Sequence, residues 1–367
     1  MRDAPAMRPR TEQQARTLVV VFGAGASADS IGRAVTSPST IAALGTGRPP
    51  LARELFDLFF DRFVQAHRTA GTLVAELRQL PGTVSLEGEL DRIQGQEAPG
   101  DSTRRRELAS LRYYLRDLLA TTGRNWGEQA PGQTNYHILL KRLARWRERM
   151  NTRIAFVSFN YDTLLDRAVE DVLGISLQTI ERYVSDKRFR LFKPHGSVNW
   201  VRALNDKGTL PVGLTWADTE REITNLAGST SGLELSDTYT VIEEPAVGTI
   251  AGRIVVPALT IPVLEKRDFE FPQEHQDALK EWVPDALWVL IVGWRASEKN
   301  FMQLWGSTPR FTQPRVLAIC RTRDTARAVV GTLRDHDIRA SRLDEFEGGF
   351  TDFLSNQGLL DSFLAQM

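Results

Sequence analysis

Four stretches of this chain are apolar and β-branched almost without interruption: TLVVVFG (17–23), RIAFVSFN (153–160), ALWVLIVGW (286–294) and RVLAICR (315–321). A strand that alternates apolar and polar residues buries one face. A strand apolar throughout is covered on both, as in a parallel sheet layered between helices. Amphipathic helical spacing follows two of the runs, in DTLLDRAVEDVLG (162–174), which stops at Gly174, and in TRDTARAVVGTLRDH (322–336). Strand, loop and helix in repetition predict an α/β fold, a Rossmann-like doubly wound parallel sheet.

The spacing changes character between the first two strands. LARELFDLFFDRFVQAH (51–67), TLVAELRQL (72–80), RRELASLRYYLRDLLATT (105–122) and NYHILLKRLARWRERM (135–150) repeat apolar residues at helical intervals, separated by turn-rich pieces. Residues 50–150 are therefore expected to form an inserted helical module, with 15–49 and 151–367 making the sheet domain. A second insertion is expected at 203–252, polar and rich in Gly, Thr and Ser, with strand-like pieces such as TYTVIEE (238–244).

Charge and composition narrow the function. Lys plus Arg and Asp plus Glu both number 46, so no global basic surface points to direct nucleic-acid binding. The one cysteine, Cys320, excludes a disulfide framework or a thiolate zinc cluster within one chain. No stretch approaches the ~20 apolar residues that span a bilayer, and the first residues lack a signal-peptide core. A cytoplasmic protein without membrane contact is expected.

Three loops carry candidate chemistry. In VVVFGAGASADS (19–30), Gly23 and Gly25 end a buried strand, where a missing Cβ permits a tight turn and close approach to a ligand. A helix beginning near Ser27 would offer free N–H groups to a pyrophosphate. The carboxylate that dehydrogenases place about 20 residues on, for the adenosine ribose, is missing; Glu54 and Asp57 fall in a helical pattern. In SFNYDTLLD (158–166), Asn160 could bond ribose hydroxyls or orient a water, while Asp162 also suits a helix cap. In GWRASEKNF (293–301), Gly293 permits backbone approach, and Ser297 or Glu298 could cap a helix or touch ribose or phosphate. His195, in LFKPHGSVNW (191–200), follows a strand and precedes a glycine, which suits a general base. His67, His137, His275 and His336 are read as structural or surface residues.

Together GAGAS, FNYD and PHGSVNW resemble the sirtuin superfamily, named for the silent information regulators, and in order and spacing look like its divergent bacterial NAD hydrolases. The resemblance implies that Gly23, Ala24, Gly25 and Ser27 hold the NAD phosphates. It implies that Asn160 and Asp162 hold the nicotinamide-ribose end and that His195 is the base; Gly293 and Ser297 join the cofactor-binding candidates from their place after the third strand, outside the resemblance. Departures accompany it. Deacetylating sirtuins have Gln where Phe159 stands and Gly-Thr-Ser where Gly293, Trp294 and Arg295 stand. Their four-cysteine zinc ribbon has no counterpart, since 201–252 lacks cysteine.

The expected activity is accordingly NAD+ hydrolysis to nicotinamide and ADP-ribose, with NAD as substrate and no metal. The resemblance further implies an NAD-depleting effector of antiphage defence. Such an effector is expected to be gated by homo-oligomer assembly or by a partner such as a motor ATPase or an Argonaute-like sensor, with 50–150 as contact surface or as lid. Two alternatives stay open: a sensor that binds NAD or ADP-ribose without turnover, and an ADP-ribosyltransferase or deacylase.

Overall fold

The computed structural model describes residues 16–32, 47–81, 84, 86–95, 101–150, 152–205, 214–229, 233–243, 248–261, 269–284, 286–306 and 313–365. Its strands are β1 (Thr17–Phe22), β2 (Arg153–Ser158), β3 (Phe189–Phe192), β4 (Gly196–Leu204), β5 (Leu235–Val241), β6 (Thr249–Ile250), β7 (Arg253–Leu259), β8 (Ala286–Val292), β9 (Arg315–Cys320) and β10 (Arg342–Glu347). Six of them form one sheet in the order β10-β9-β8-β1-β2-β3, every neighbouring pair parallel. The first three strands run outward one way from β1 and the last three run outward the other way from β8. This is the doubly wound Rossmann order, whose direction reverses between β1 and β8.

The four apolar runs are the four central strands, and β1 is buried at every residue. The edge strands lack that signature. β10, RLDEFE, is charged and half exposed, as an edge exposed to pairing with another chain tends to be, and its pattern does not announce a strand. The predicted helices after β2 and β9 form at Leu164–Leu173 and Arg323–Asp335. Gly174 closes the first in a left-handed conformation (φ 66°), and the Thr322 side chain accepts from Thr325 N–H at the start of the second.

The region 50–150 is helical, but it does not pack as one body. Its last helix, Asn135–Met150, buries Tyr136, Leu139, Leu140, Leu143 and Trp146 in the core of the large sheet, where Trp146 meets Trp288 edge to face. The part from Leu55 to Leu119 forms a second core with Val198, Leu259 and Ile261. The stretch 51–67, expected as one helix, is broken into two 3-10 turns and the short helix Asp61–Ala66. The polar stretch 203–252 contributes β5, β6 and the end of β4 to an antiparallel sheet in the order β5-β4-β7-β6, in which β7 lies wholly outside those bounds. That sheet and the helix Trp216–Ser229 pack on the long helix Ser102–Gly127 through Tyr113, Leu204, Ile223, Ile254 and Val256. The two insertions thus share an apolar core.

A buried charge crosses that junction. His67 Nδ1 lies 2.7 Å from Glu220 Oε2 and its Nε2 lies 3.1 Å from Asp117 Oδ2. Burial pushes its pKa down, but the hydrogen bonds to the two carboxylates outweigh burial and raise it to about 9. A folded pKa above the unfolded value near 6.5 gives stability that is complete below about pH 6.5 and lost as pH rises to about 9. His67→Ala is expected to destabilise the protein by about 3 kcal/mol at pH 6, and by much less at pH 10. Urea denaturation at both pH values checks this; an equal loss at both would contradict a charged His67.

Candidate active site

The C-terminal ends of all six parallel strands open onto one cavity of about 650 Å³. The turn after β1 supplies Gly23, Ala24 and Gly25, and the loop after β2 supplies Phe159 and Tyr161. His195 follows β3, Gly293, Ser297 and Glu298 follow β8, Arg321 follows β9, and Gly348 and Gly349 follow β10. Ligands of open parallel sheets collect at this edge, at the point where strand order reverses. The volume lies within the range of small-molecule and cofactor sites.

The floor is the contact between the turns after β1 and β8. Gly23 N–H donates to Val292 O and Gly25 N–H to Gly293 O, both at 3.1 Å, and Ala26 N–H donates to Gly23 O at 2.8 Å. A Cβ on Gly23 would stand 2.6 Å from Trp294 Cα, and Gly293, at φ +61°, would drive one into Ala26 N. The glycines are required because two backbones touch. This corrects the expectation of several free N–H groups facing a pyrophosphate: those of Gly23, Gly25 and Ala26 are engaged within the protein. The helix begins at Ala24 rather than near Ser27 and is only five residues long.

Asn160, Asp162 and Ser27 lie one layer below and do not line the cavity. Asn160 Nδ2 donates to Gly23 O at 2.9 Å and to Ser27 Oγ at 2.8 Å, with Tyr136 OH at 3.2 Å. Ser27 Oγ is also hydrogen-bonded to Tyr136 OH at 2.9 Å. The amide expected to meet ribose or water therefore braces the glycine turn. Asp162 Oδ1 accepts Leu164 N–H at 3.1 Å, an Asx turn that leads into the helix, whose N-cap is Thr163 and not Asp162. Burial pushes its carboxyl above the ordinary range, against the pull of Lys193 and Ser27. Lys193 is fully buried, with Nζ donating to Asp162 O at 2.7 Å and Asp166 Oδ2 at 2.9 Å.

His195 does face the cavity. Its ring lies between Phe159 (centroids 4.9 Å apart) and Tyr161 (5.9 Å). Nδ1 is 3.2 Å from Phe159 O, and a carbonyl only accepts. The proton is therefore on Nδ1, and in the neutral ring the lone pair is on Nε2. Nε2 in turn lies 3.8 Å from Glu298 Oε1. Trp294 Nε1 donates to the other Glu298 oxygen, and the indole stacks on Phe159 at 5.2 Å and 10°. Phe159 thus orients the base through its carbonyl and the indole through its ring.

Cations outnumber anions among the charged lining residues: Arg48, Arg53, Arg295, Lys299 and Arg321 against Asp29 and Glu298. Asp29 accepts from the Thr351 hydroxyl at 2.6 Å and its N–H at 3.0 Å. Such a lining favours an anionic ligand. Among the described residues no group of three or more His, Cys, Asp or Glu could hold a metal, and no helix is long and apolar enough to cross a membrane.

The sequence position of Glu298 suits a helix cap or a ligand contact and does not announce its place beside His195, and the β9 and β10 contributions lie outside the sequence motifs. The rule that each strand's first C-terminal residues face the ligand would have found Arg321. It needed β10 to be recognised before it could find Gly348.

No family model and no curated protein matches this chain. Solved structures do align with it: a Sir2 homologue in complex with NAD (12% identity, 95% of this chain and 91% of that one, TM-score 0.37). A mutant Sir2 homologue with ADP-ribose gives 11% identity, 96% of each chain and a TM-score of 0.40. A structure concerned with sirtuin substrate affinity gives 13% identity, 94% and 95% coverage and 0.36.

The glycine contact predicts a stability contrast. Gly293→Ala, forced into a left-handed conformation against Ala26, is expected to cost about 2–4 kcal/mol in urea denaturation. Gly331→Ala, in a helix with open space at the Cβ, is expected to stabilise by about 0.5–1 kcal/mol.

Proposed function

We propose that this chain is an NAD+ hydrolase that releases nicotinamide and leaves ADP-ribose. The observation that carries the reading is His195: an imidazole with its proton held on Nδ1 by a backbone carbonyl, in a cation-lined cavity at the switch point of a doubly wound sheet. The cationic lining suits the diphosphate, with Arg295 and Arg321 nearest the strand ends that supply it. Gly23, Ala24, Gly25, Gly293 and Ser297 form the wall it lies against.

The C1′–N bond breaks with its electron pair leaving on nicotinamide, which departs neutral and needs no acid. The sugar passes through an oxocarbenium-like state, as in glycoside hydrolysis. Water adds its oxygen to C1′ and loses a proton to His195 Nε2, which returns it to solvent. Asn160 and Asp162 act beneath the surface, holding the glycine turn and the helix start in register. The motif resemblance further supports an NAD-depleting role in defence, gated by self-assembly or by a partner protein.

A sensor that binds NAD or ADP-ribose without turnover is the second reading. It is favoured by the commitment of the Asn160 amide to Gly23 and Ser27 rather than to the cavity. Following nicotinamide by chromatography, over a range of protein concentrations, separates the two. Turnover is expected to rise with assembly, and His195→Ala to lower it by about 10²–10⁴-fold with unchanged far-UV circular dichroism. Turnover at the wild-type rate in His195→Ala would reject the base. Tight NAD binding with no nicotinamide at any concentration would favour the sensor.

A further inference from the structure

We propose that Glu298 is the positioning partner of His195: a carboxylate pinned by an indole so that it becomes the counter-ion of the imidazolium formed when His195 takes a proton. The inference rests on the reading of His195 as the base and adds a residue the sirtuin-like motifs do not contain.

The geometry is asymmetric. One Glu298 oxygen accepts from Trp294 Nε1, and the other lies 3.8 Å from His195 Nε2. That distance is too long for a hydrogen bond to a neutral ring and within ion-pair range of a charged one. The pair therefore interacts weakly while the base is empty and strongly once it has accepted a proton. Interactions that strengthen along the reaction are the ones that accelerate it. Both members are largely buried, with side-chain exposures of 6% for His195 and 15% for Glu298, so solvent screens the pair little.

The support for Glu298 is itself rigid. Trp294 is buried, stacks on Phe159, and packs edge to face on Phe301 at 5.6 Å. Phe159 also provides the carbonyl that holds His195 Nδ1. One residue thus orients both the base and, through the indole, its counter-ion. The other titratable or charged groups facing His195 come from separate elements. Tyr161 stacks on its ring from the loop after β2, and Arg295 and Lys299 line the cavity beside Glu298.

The test is a titration of the imidazole nitrogens by NMR in the intact protein, with His195 assigned by comparison with His195→Gln. Glu298→Gln is expected to move the His195 midpoint to lower pH by several tenths of a unit to about one unit. Trp294→Phe, which keeps the stacking and removes the indole N–H, is expected to give a smaller shift in the same direction. Glu298→Asp is expected to retain part of the wild-type value. In turnover, Glu298→Gln is expected to lower kcat with little change in KM and to move the acid limb of the rate profile down in pH. An unchanged midpoint in Glu298→Gln overturns the pair whatever the activity. Absence of nicotinamide release from the wild type, with the midpoint shift intact, overturns the hydrolase reading and leaves the pair standing.

Discussion

The backbone contact between the turns after β1 and β8 is the constraint on which the site depends. These strands lie side by side where the sheet reverses direction, so their following loops must either splay apart or touch. They touch, through Gly23 N–H to Val292 O and Gly25 N–H to Gly293 O, because none of the three glycines has a Cβ. The contact forms the floor of the cavity and brings Trp294, and with it Glu298, within reach of the loop that carries Phe159. Asn160 secures the same floor from the loop after β2 by donating to Gly23 O.

Above this floor the chemistry is sparse and directional. A carbonyl sets the tautomer of His195, a carboxylate lies 3.8 Å from its Nε2, and cations from several loops line the cavity. The layer below holds polar groups that burial makes costly unless they are paired. Lys193, Asp166 and Tyr183 satisfy one another there, with Tyr183 OH donating to Asp166 Oδ1 at 2.7 Å. The helix Ser102–Gly127 and the stretch from Leu204 to Val256 share a smaller apolar core, and the His67 charge ties that long helix to the helix Trp216–Ser229.

Much of the fold was legible because central strands of a parallel sheet are apolar at every position. β1, β2, β8 and β9 could be read from composition alone, and Gly174 marked a helix end by its conformational freedom. β10 was not legible because an edge strand with charged residues lacks that pattern. The antiparallel sheet was partly legible in TYTVIEE, which overlaps β5, whereas β7, buried at all but its first residue, is an apolar run that local pattern does not assign to a second sheet. Among the site residues, His195 was identified from its neighbours in sequence. Asn160 was identified too, but its partner could not be: a buried amide at a strand end looks the same whether it faces a ligand or the underside of a turn. Glu298 suited a cap or a ligand contact equally in sequence, and its pairing with His195 and Trp294 was not legible because no local pattern encodes it.

The central claim is that imidazole 195 and the glycine floor serve a single bound dinucleotide. A crystal structure with ADP-ribose tests it most directly. The account predicts the diphosphate along the turn at 23–25 beside Arg295 or Arg321, with the terminal ribose within hydrogen-bond distance of His195 Nε2. Density for the ligand outside this cavity, or a ribose turned away from His195, would contradict it.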